Sequence, residues 1–210
     1  MLALLSTTYF GPIQWYQKLY RYPQVLIEQH ETFAKQTFRN RCLIATAQGV
    51  QALTVPVVHN SSTGAESTIG HLRISDHGNW RHLHWQAITS AYGDSPFLEY
   101  YEDDLRPFFF EHQWEYLFDF NWDICHKICE LIDISPRLSK TDRYIKNADS
   151  IDGKPFADFR EAISPKHPTP DPDFLPRPYY QVFAQRHGFL PNLSILDLLL
   201  NMGPESVFYL

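Results

Sequence analysis

Between two apolar runs lies a segment of fourteen residues, Glu28 to Arg41, that mixes acids, bases, an imidazole and amides, and no other stretch constrains the fold as tightly. Ahead of it, Leu2 to Thr7 reads as a short apolar strand and Tyr9 to Tyr20 as an amphipathic helix. A strand, a helix and a second strand in that order form a unit that delivers Glu28–Arg41 to a sheet edge. Strand ends are where α/β proteins place their chemistry.

The elements that follow complete the expectation. Cys42 to Ala47 and Val50 to Val58 are β-rich and separated by Gln48-Gly49, which predicts a hairpin with Pro56 at a strand end. Asn60 to Glu66 is almost free of apolar residues and reads as a surface loop, and Ile69 to Ile74 as another short strand. From Asp76 to Tyr92 the period changes to three and four, predicting a helix capped by Ser75 or Asp76. A second helix is expected from Pro96 to about Phe109 and a third from Gln113 to Asp133.

Residues 135–152 turn polar, and 164–178 hold six prolines in fifteen residues, so this region should be extended and lie on a surface. Asn192 or Ser194 should cap a last apolar helix, Ile195 to Met202, stopped by Gly203-Pro204. The fold class expected is α/β or α+β. It would have a mixed sheet with the N-terminal strand–helix–strand unit and a hairpin, covered by three to four helices. At 210 residues the chain should bury roughly 70% of its unfolded surface and form one domain, 1–210, with 135–178 a polar then proline-rich loop region.

Composition excludes some functions. The net charge of −6 and the lack of any basic run leave no footprint for a nucleic acid. No stretch approaches the ~20 apolar residues of a membrane span, and Met1-Leu-Ala-Leu-Leu has no basic leader region, so a cytoplasmic protein is expected. Cys42, Cys125 and Cys129 cannot form a closed disulfide set and read as buried thiols. Hydrolase-elbow, P-loop and dinucleotide fingerprints are absent, so no cofactor can be named. His82 and His84 are two apart on a helix and point about 200° away from each other, so no metal site is expected.

The candidate catalytic residues are Glu28, His30, Lys35, Asn40 and Arg41. Glu28 and His30 share a strand face and suit a general base oriented by a carboxylate, with Glu31 beside them. Asn40 and Arg41, with charge added by Lys35, suit a carboxylate, phosphate or oxyanion. Candidate substrate-binding residues are Trp80, His84, Tyr92, Tyr179, Tyr180 and Asn192. His84 is either a core histidine or a site residue, and Tyr179 and Tyr180 are either groove-lining rings or core. A lone Asp197 in an apolar helix should meet Arg41, Arg39 or a backbone amide.

Three stretches are familiar together: Thr37–Arg41 with Leu53–Val57; Trp80–His84 with Ile88, Tyr92, Pro96 and Phe97; and Phe189–Gly203 with its Ser-Ile-Leu-Asp-Leu-Leu block. On these the chain resembles the WbqC-like protein family of bacteria from about Tyr9 to the C-terminus. The family pattern carries onto Lys35, Asn40, Arg41, Trp80, His84, Tyr92, Pro96, Asn192, Ser194, Asp197 and Asn201. It departs at Gln29 and His30, where acids are common, and in a shorter segment before the C-terminal block. The resemblance implies a transferase that moves glycine or another acyl group onto a sugar or nucleotide sugar in surface-polysaccharide (O-antigen) assembly. Its partners would be small molecules. A non-catalytic recognition or scaffold protein and a nucleotidylyl-transfer-like enzyme are the alternatives, and the oligomeric state is not readable.

Overall fold

In the computed structural model, residues 1–58, 68–111, 113–146, 150, 153, 155–166 and 168–210 are described. The loop expected at Asn60 to Glu66 lies outside them. The chain runs β1 (Leu2–Ser6), α1 (Ile13–Arg21), β2 (Gln24–Glu28), β3 (Arg41–Thr46), β4 (Gly49–Thr54), α2 (Trp80–Tyr92), α3 (Leu98–Leu105), α4 (Pro107–Phe110) and α5 (Leu117–Leu131). It continues through β5 (Leu138–Lys140), β6 (Phe156–Asp158), α6 (Ala184–His187) and α7 (Ile195–Met202).

Four strands form a parallel sheet in the order β5-β2-β1-β6, and β3 and β4 form a separate antiparallel hairpin. The α/β class therefore holds. The central strand β1, Leu-Ala-Leu-Leu-Ser, is apolar nearly throughout because a parallel strand is covered on both faces. Strand β2 lies on one side of β1 and β6 on the other, so the connections reverse direction between β1 and β6. In open α/β sheets ligands sit outside the carboxyl ends of the strands at such a reversal.

Aromatic packing joins the sheet to the helices. Tyr9 and Phe10 leave the end of β1 into a cluster where Tyr9 stacks on Phe120 of α5 at 5.7 Å and Phe10 on Phe109 of α4 at 6.2 Å. Helices α2 and α7 pack on β3, and Ser194 caps α7 by accepting the Leu196 N–H at 3.2 Å. The thiols of Cys42, Cys125 and Cys129 are free and buried in this core.

Several boundaries differ from expectation for identifiable reasons. Pro107, which has no N–H to donate, breaks the second helix into α3 and α4. Neither Ser75 nor Asp76 caps α2: a 3₁₀ turn at His77–Asn79 intervenes, with Gly78 at φ 80° and Asn79 at φ 49°. Residues 69–74 form a 3₁₀ turn and isolated bridges from Arg73 to Tyr116 and Ile74 to Val57 instead of a strand. The polar stretch 135–152 contains β5, which pairs with β2.

The proline-rich segment crosses the polar face of α1. Gln14 Nε2 donates to Asp171 Oδ2 at 2.8 Å and Lys18 Nζ lies 2.7 Å from the same oxygen. Gln17 Nε2 and Arg21 Nη1 donate to the Asp173 carbonyl at 3.2 and 3.1 Å. Burial pushes the Asp171 carboxyl up, but Lys18 and Gln14 outweigh it and hold the pKa below the usual carboxylate value. These partners explain how a helix with Gln14, Gln17 and Lys18 buried remains stable.

Gly203 ends α7 at φ 55°, and a Cβ there would sit 2.5 Å from the Phe97 ring. Gly203→Ala should therefore cost about 2 kcal/mol or more, combining a left-handed backbone with overpacking. Chemical denaturation checks this, and a loss below about 0.5 kcal/mol would contradict the packing described.

Candidate functional site at the carboxyl ends of the parallel strands

The carboxyl end of β1 continues as Ser6-Thr7-Thr8, all buried, and that of β6 as Asp158-Phe159-Arg160. A cavity of about 10 Å³ lies between them, lined by Ser6, Thr7, Thr8, Arg39, Phe159 and Arg160, with Trp15 and Phe38 among its walls. That volume is on the order of one water molecule. The Thr8 hydroxyl is buried and has no hydrogen-bond partner among the described residues. Gly11 approaches it so closely that a Cβ would lie 2.3 Å from Thr8 Oγ1. Phe10, two residues on, has φ 40°, a backbone strain typical of functional loops.

Two ion clusters frame the cavity. Arg39 donates from Nε to Glu31 Oε1 at 2.7 Å and from Nη2 to Glu31 Oε2 at 2.6 Å and to Ser6 Oγ at 2.9 Å. Ser6 Oγ in turn donates to Glu31 Oε2 at 3.1 Å. Arg160 grips Asp158, with Nη2 donating to Oδ2 at 2.6 Å, and its Nη1 lies 3.7 Å from Glu28 Oε2. Desolvation opposes the Arg160 charge, yet Asp158 more than compensates and raises its pKa. Two guanidinium groups thus face three carboxylates, Glu28, Glu31 and Asp158.

Glu28, fully buried, gathers donors from separate segments. Its Oε1 accepts from the His30 N–H and from Thr141 Oγ1, both at 2.8 Å, and its Oε2 from the Ile145 N–H at 2.8 Å. His30 lies at the same end of the sheet, Nε2 3.1 Å from the Thr141 carbonyl. The carboxylate thus holds the His30 backbone N–H and not its imidazole, and β2 ends at Glu28, so the two residues lie close without sharing the strand face expected of them.

The other expected site residues lie elsewhere. Asn40 Nδ2 donates to the Val55 carbonyl at 2.8 Å and Arg41 Nε to Thr54 Oγ1 at 3.0 Å, so both brace the hairpin. Lys35 is exposed. Trp80 is buried and donates to the Ser75 carbonyl at 2.9 Å, and Asn192 Oδ1 accepts the Gln14 N–H at 2.9 Å. Tyr92 and Tyr179 converge on Asp197, at 2.8 and 2.7 Å, with Gln181 Nε2 donating at 3.0 Å. Those hydroxyls and that amide, not Arg41 or Arg39, satisfy the buried acid, whose pKa burial still raises against them. Tyr180 is exposed and lines a separate depression with Pro96, Phe97 and Met202.

The model of the WbqC-like protein family matches residues 7–163. The chain belongs to that family. It is also 27% identical over 230 residues to "Uncharacterized protein Rv1507c" of Mycobacterium tuberculosis (strain ATCC 25618 / H37Rv), across 100% of this chain and 96% of that protein. No solved structure matches.

The matched span of this WbqC-like protein runs from Thr7 to Ile163 and so contains Thr8, Glu28, Glu31, Arg39 and Arg160. The block Phe189–Gly203 lies beyond it. Thr8, Arg39 and Arg160 were not among the expected site residues. No local pattern marks Arg160, because β6 is only Phe156-Ala157-Asp158. Among the described residues no helix is long and apolar enough to cross a membrane, and no group of three or more His, Cys, Asp and Glu is placed to hold a metal. Cys42 is buried, and burial pushes its thiol well above its ordinary pKa, the opposite of what activates a nucleophilic cysteine.

His84 is also a core group: its Nδ1 lies 2.9 Å from Tyr9 Oη, and burial lowers its pKa to about 4 against an opposing backbone hydrogen bond at Thr54. An unfolded imidazole takes up its proton near pH ~6.5, so unfolding binds a proton at intermediate pH. Stability should fall by about 3 kcal/mol as pH drops from ~6.5 to ~4, and this contribution should level off below that. Urea unfolding across this range checks it. His84→Gln should flatten the profile, and an unchanged slope in the variant would contradict the assignment.

Proposed function

We propose that this protein is a transferase acting on a sugar or nucleotide sugar, with its substrate held outside the carboxyl ends of β1 and β6. The observation that carries the reading is the buried cleft at the reversal of the sheet, walled by Ser6, Thr7, Thr8, Arg39 and Arg160. A small polar substrate at such a point meets fixed hydroxyls and guanidinium groups already oriented by carboxylates. The Thr8 hydroxyl supplies a hydrogen bond that the described residues leave unused. Glu28 positions the backbone of His30, and His30 serves as the proton acceptor, with the ring nitrogen not facing Thr141 carrying the lone pair. Transfer of glycine or another acyl group onto a sugar in surface-polysaccharide assembly is the specific reaction proposed.

The separate depression formed by Pro96, Phe97, Tyr180 and Met202, with a volume of about 580 Å³, supports a second reading in which the protein recognises a partner without catalysis. Incubation with nucleotide sugars and activated aminoacyl donors, followed by mass spectrometry, separates the two. Thr8→Val is the informative variant. It removes an unsatisfied hydroxyl, so stability should hold or rise, while turnover should fall about 10-fold through loss of one hydrogen bond of about 1.4 kcal/mol. Unchanged turnover in Thr8→Val would overturn the placement of the substrate in this cleft.

A further inference from the structure

The cleft is too small for any substrate as it stands, and its guanidinium groups are engaged by acids. An entering anion needs both room and a cation. The cation lies one helical turn from Trp15, a wall of the cleft, and the room has to be made. Lys18 is fully buried and its ammonium lies 4.7 Å from the centre of the Phe159 ring, another wall of the cleft. Its acidic partner is Asp171, which belongs to the proline-rich segment and not to the sheet.

That segment is lightly attached. Of residues 168–178, all but Asp171 and Phe174 are exposed; the segment is held to α1 by the hydrogen bonds of Gln14, Gln17 and Arg21 and by the Lys18 pair, to Glu161 by the Thr169 N–H at 3.3 Å, to Phe208 by Arg177 Nη1 at 3.0 Å, and to the core by Phe174. On either side lie buried anchors, Ile163 before it and Tyr179 after it. A stretch with few buried contacts between two fixed points opens at low cost. The ion pair also lacks an obvious role in stability alone, because a buried pair is about as stable as apolar residues of the same volume. What a buried ammonium cannot do is remain unpaired. When the segment opens, the Lys18 ammonium passes to water or to another anion, and an anion that binds it there favours the open segment.

We infer that Lys18 is an anion-binding residue of the site and that segment 168–178 is a lid, which a substrate phosphate or carboxylate opens by taking the place of Asp171 on the Lys18 ammonium. The inference rests on the proposed location of the substrate between β1 and β6, but not on the identity of the reaction. Exchange displaces the lid from the polar face of α1 and enlarges the space beside Phe159. The low pKa of Asp171 fits a latch that is ionised, and so exchangeable with another anion, across the neutral range.

Hydrogen exchange at the amides of 168–178 tests this in the full chain, with inorganic pyrophosphate and acetate as probes and sodium chloride at matched ionic strength as control. Pyrophosphate, acetate or both should speed exchange in the segment about 10-fold while the β3–β4 hairpin stays protected. A response to pyrophosphate alone assigns a phosphate, and one to acetate alone a carboxylate. Asp171→Asn should open the segment without any anion. The apolar pair Lys18→Met with Asp171→Leu should fold and respond to neither probe. If Asp171→Asn fails to fold, the native titration and the apolar pair decide the matter. Exchange indifferent to both probes, or equal acceleration by chloride, overturns the inference. Absence of turnover with every sugar nucleotide would count against the transferase and leave this result standing.

Discussion

A carboxylate removed from water must find its donors within the protein, and the architecture at the carboxyl end of the sheet follows from that requirement at Glu28. Its two oxygens draw in the turn after β2 through His30, the stretch after β5 through Thr141 and Ile145, and the end of β6 through Arg160. Two segments distant in sequence are thereby tied to the turn after β2. Glu31 repeats the device beside it, fixing Arg39 against Ser6 at the end of β1. Without Glu31 the Arg39 guanidinium would lose its carboxylate partner, and without Glu28 the Arg160 guanidinium would keep Asp158 but lose its tie to the end of β2.

Local pattern carries some of this and sheet order carries the rest. Strand β1, helix α1 and strand β2 are legible because their apolar runs and periodicities are long. The hairpin is legible because Gly49, at φ 113°, occupies the turn that Gln48-Gly49 advertises. Ser194 and Gly203 mark the two ends of α7 by ordinary cap chemistry. Strands β5 and β6 are not legible. Each has three residues, and β5 joins the sheet only through pairing with β2 more than a hundred positions earlier.

The site was half legible for the same reason. Glu28 and His30 stand out as acid and imidazole at a strand end and lie close, without sharing the strand face. Arg41 and Asn40 carry the right chemistry, but the hairpin turns them toward Thr54 and Val55. Arg160 and Thr8 become neighbours only because β6 lies next to β1, which no local pattern reveals. Asp197 shows the same limit: a lone acid in an apolar helix calls for partners, yet its partners prove to be phenols from α2 and from the end of the proline-rich segment.

Amide chemical-shift mapping during titration with a panel of nucleotide sugars reads out whether ligands enter at the reversal between β1 and β6. The largest shifts should fall on Ser6–Thr8, Phe159–Ile163 and the turn at His30. Shifts concentrated on Phe97, Tyr180 and Met202, with the β1 and β6 ends unmoved, would contradict it.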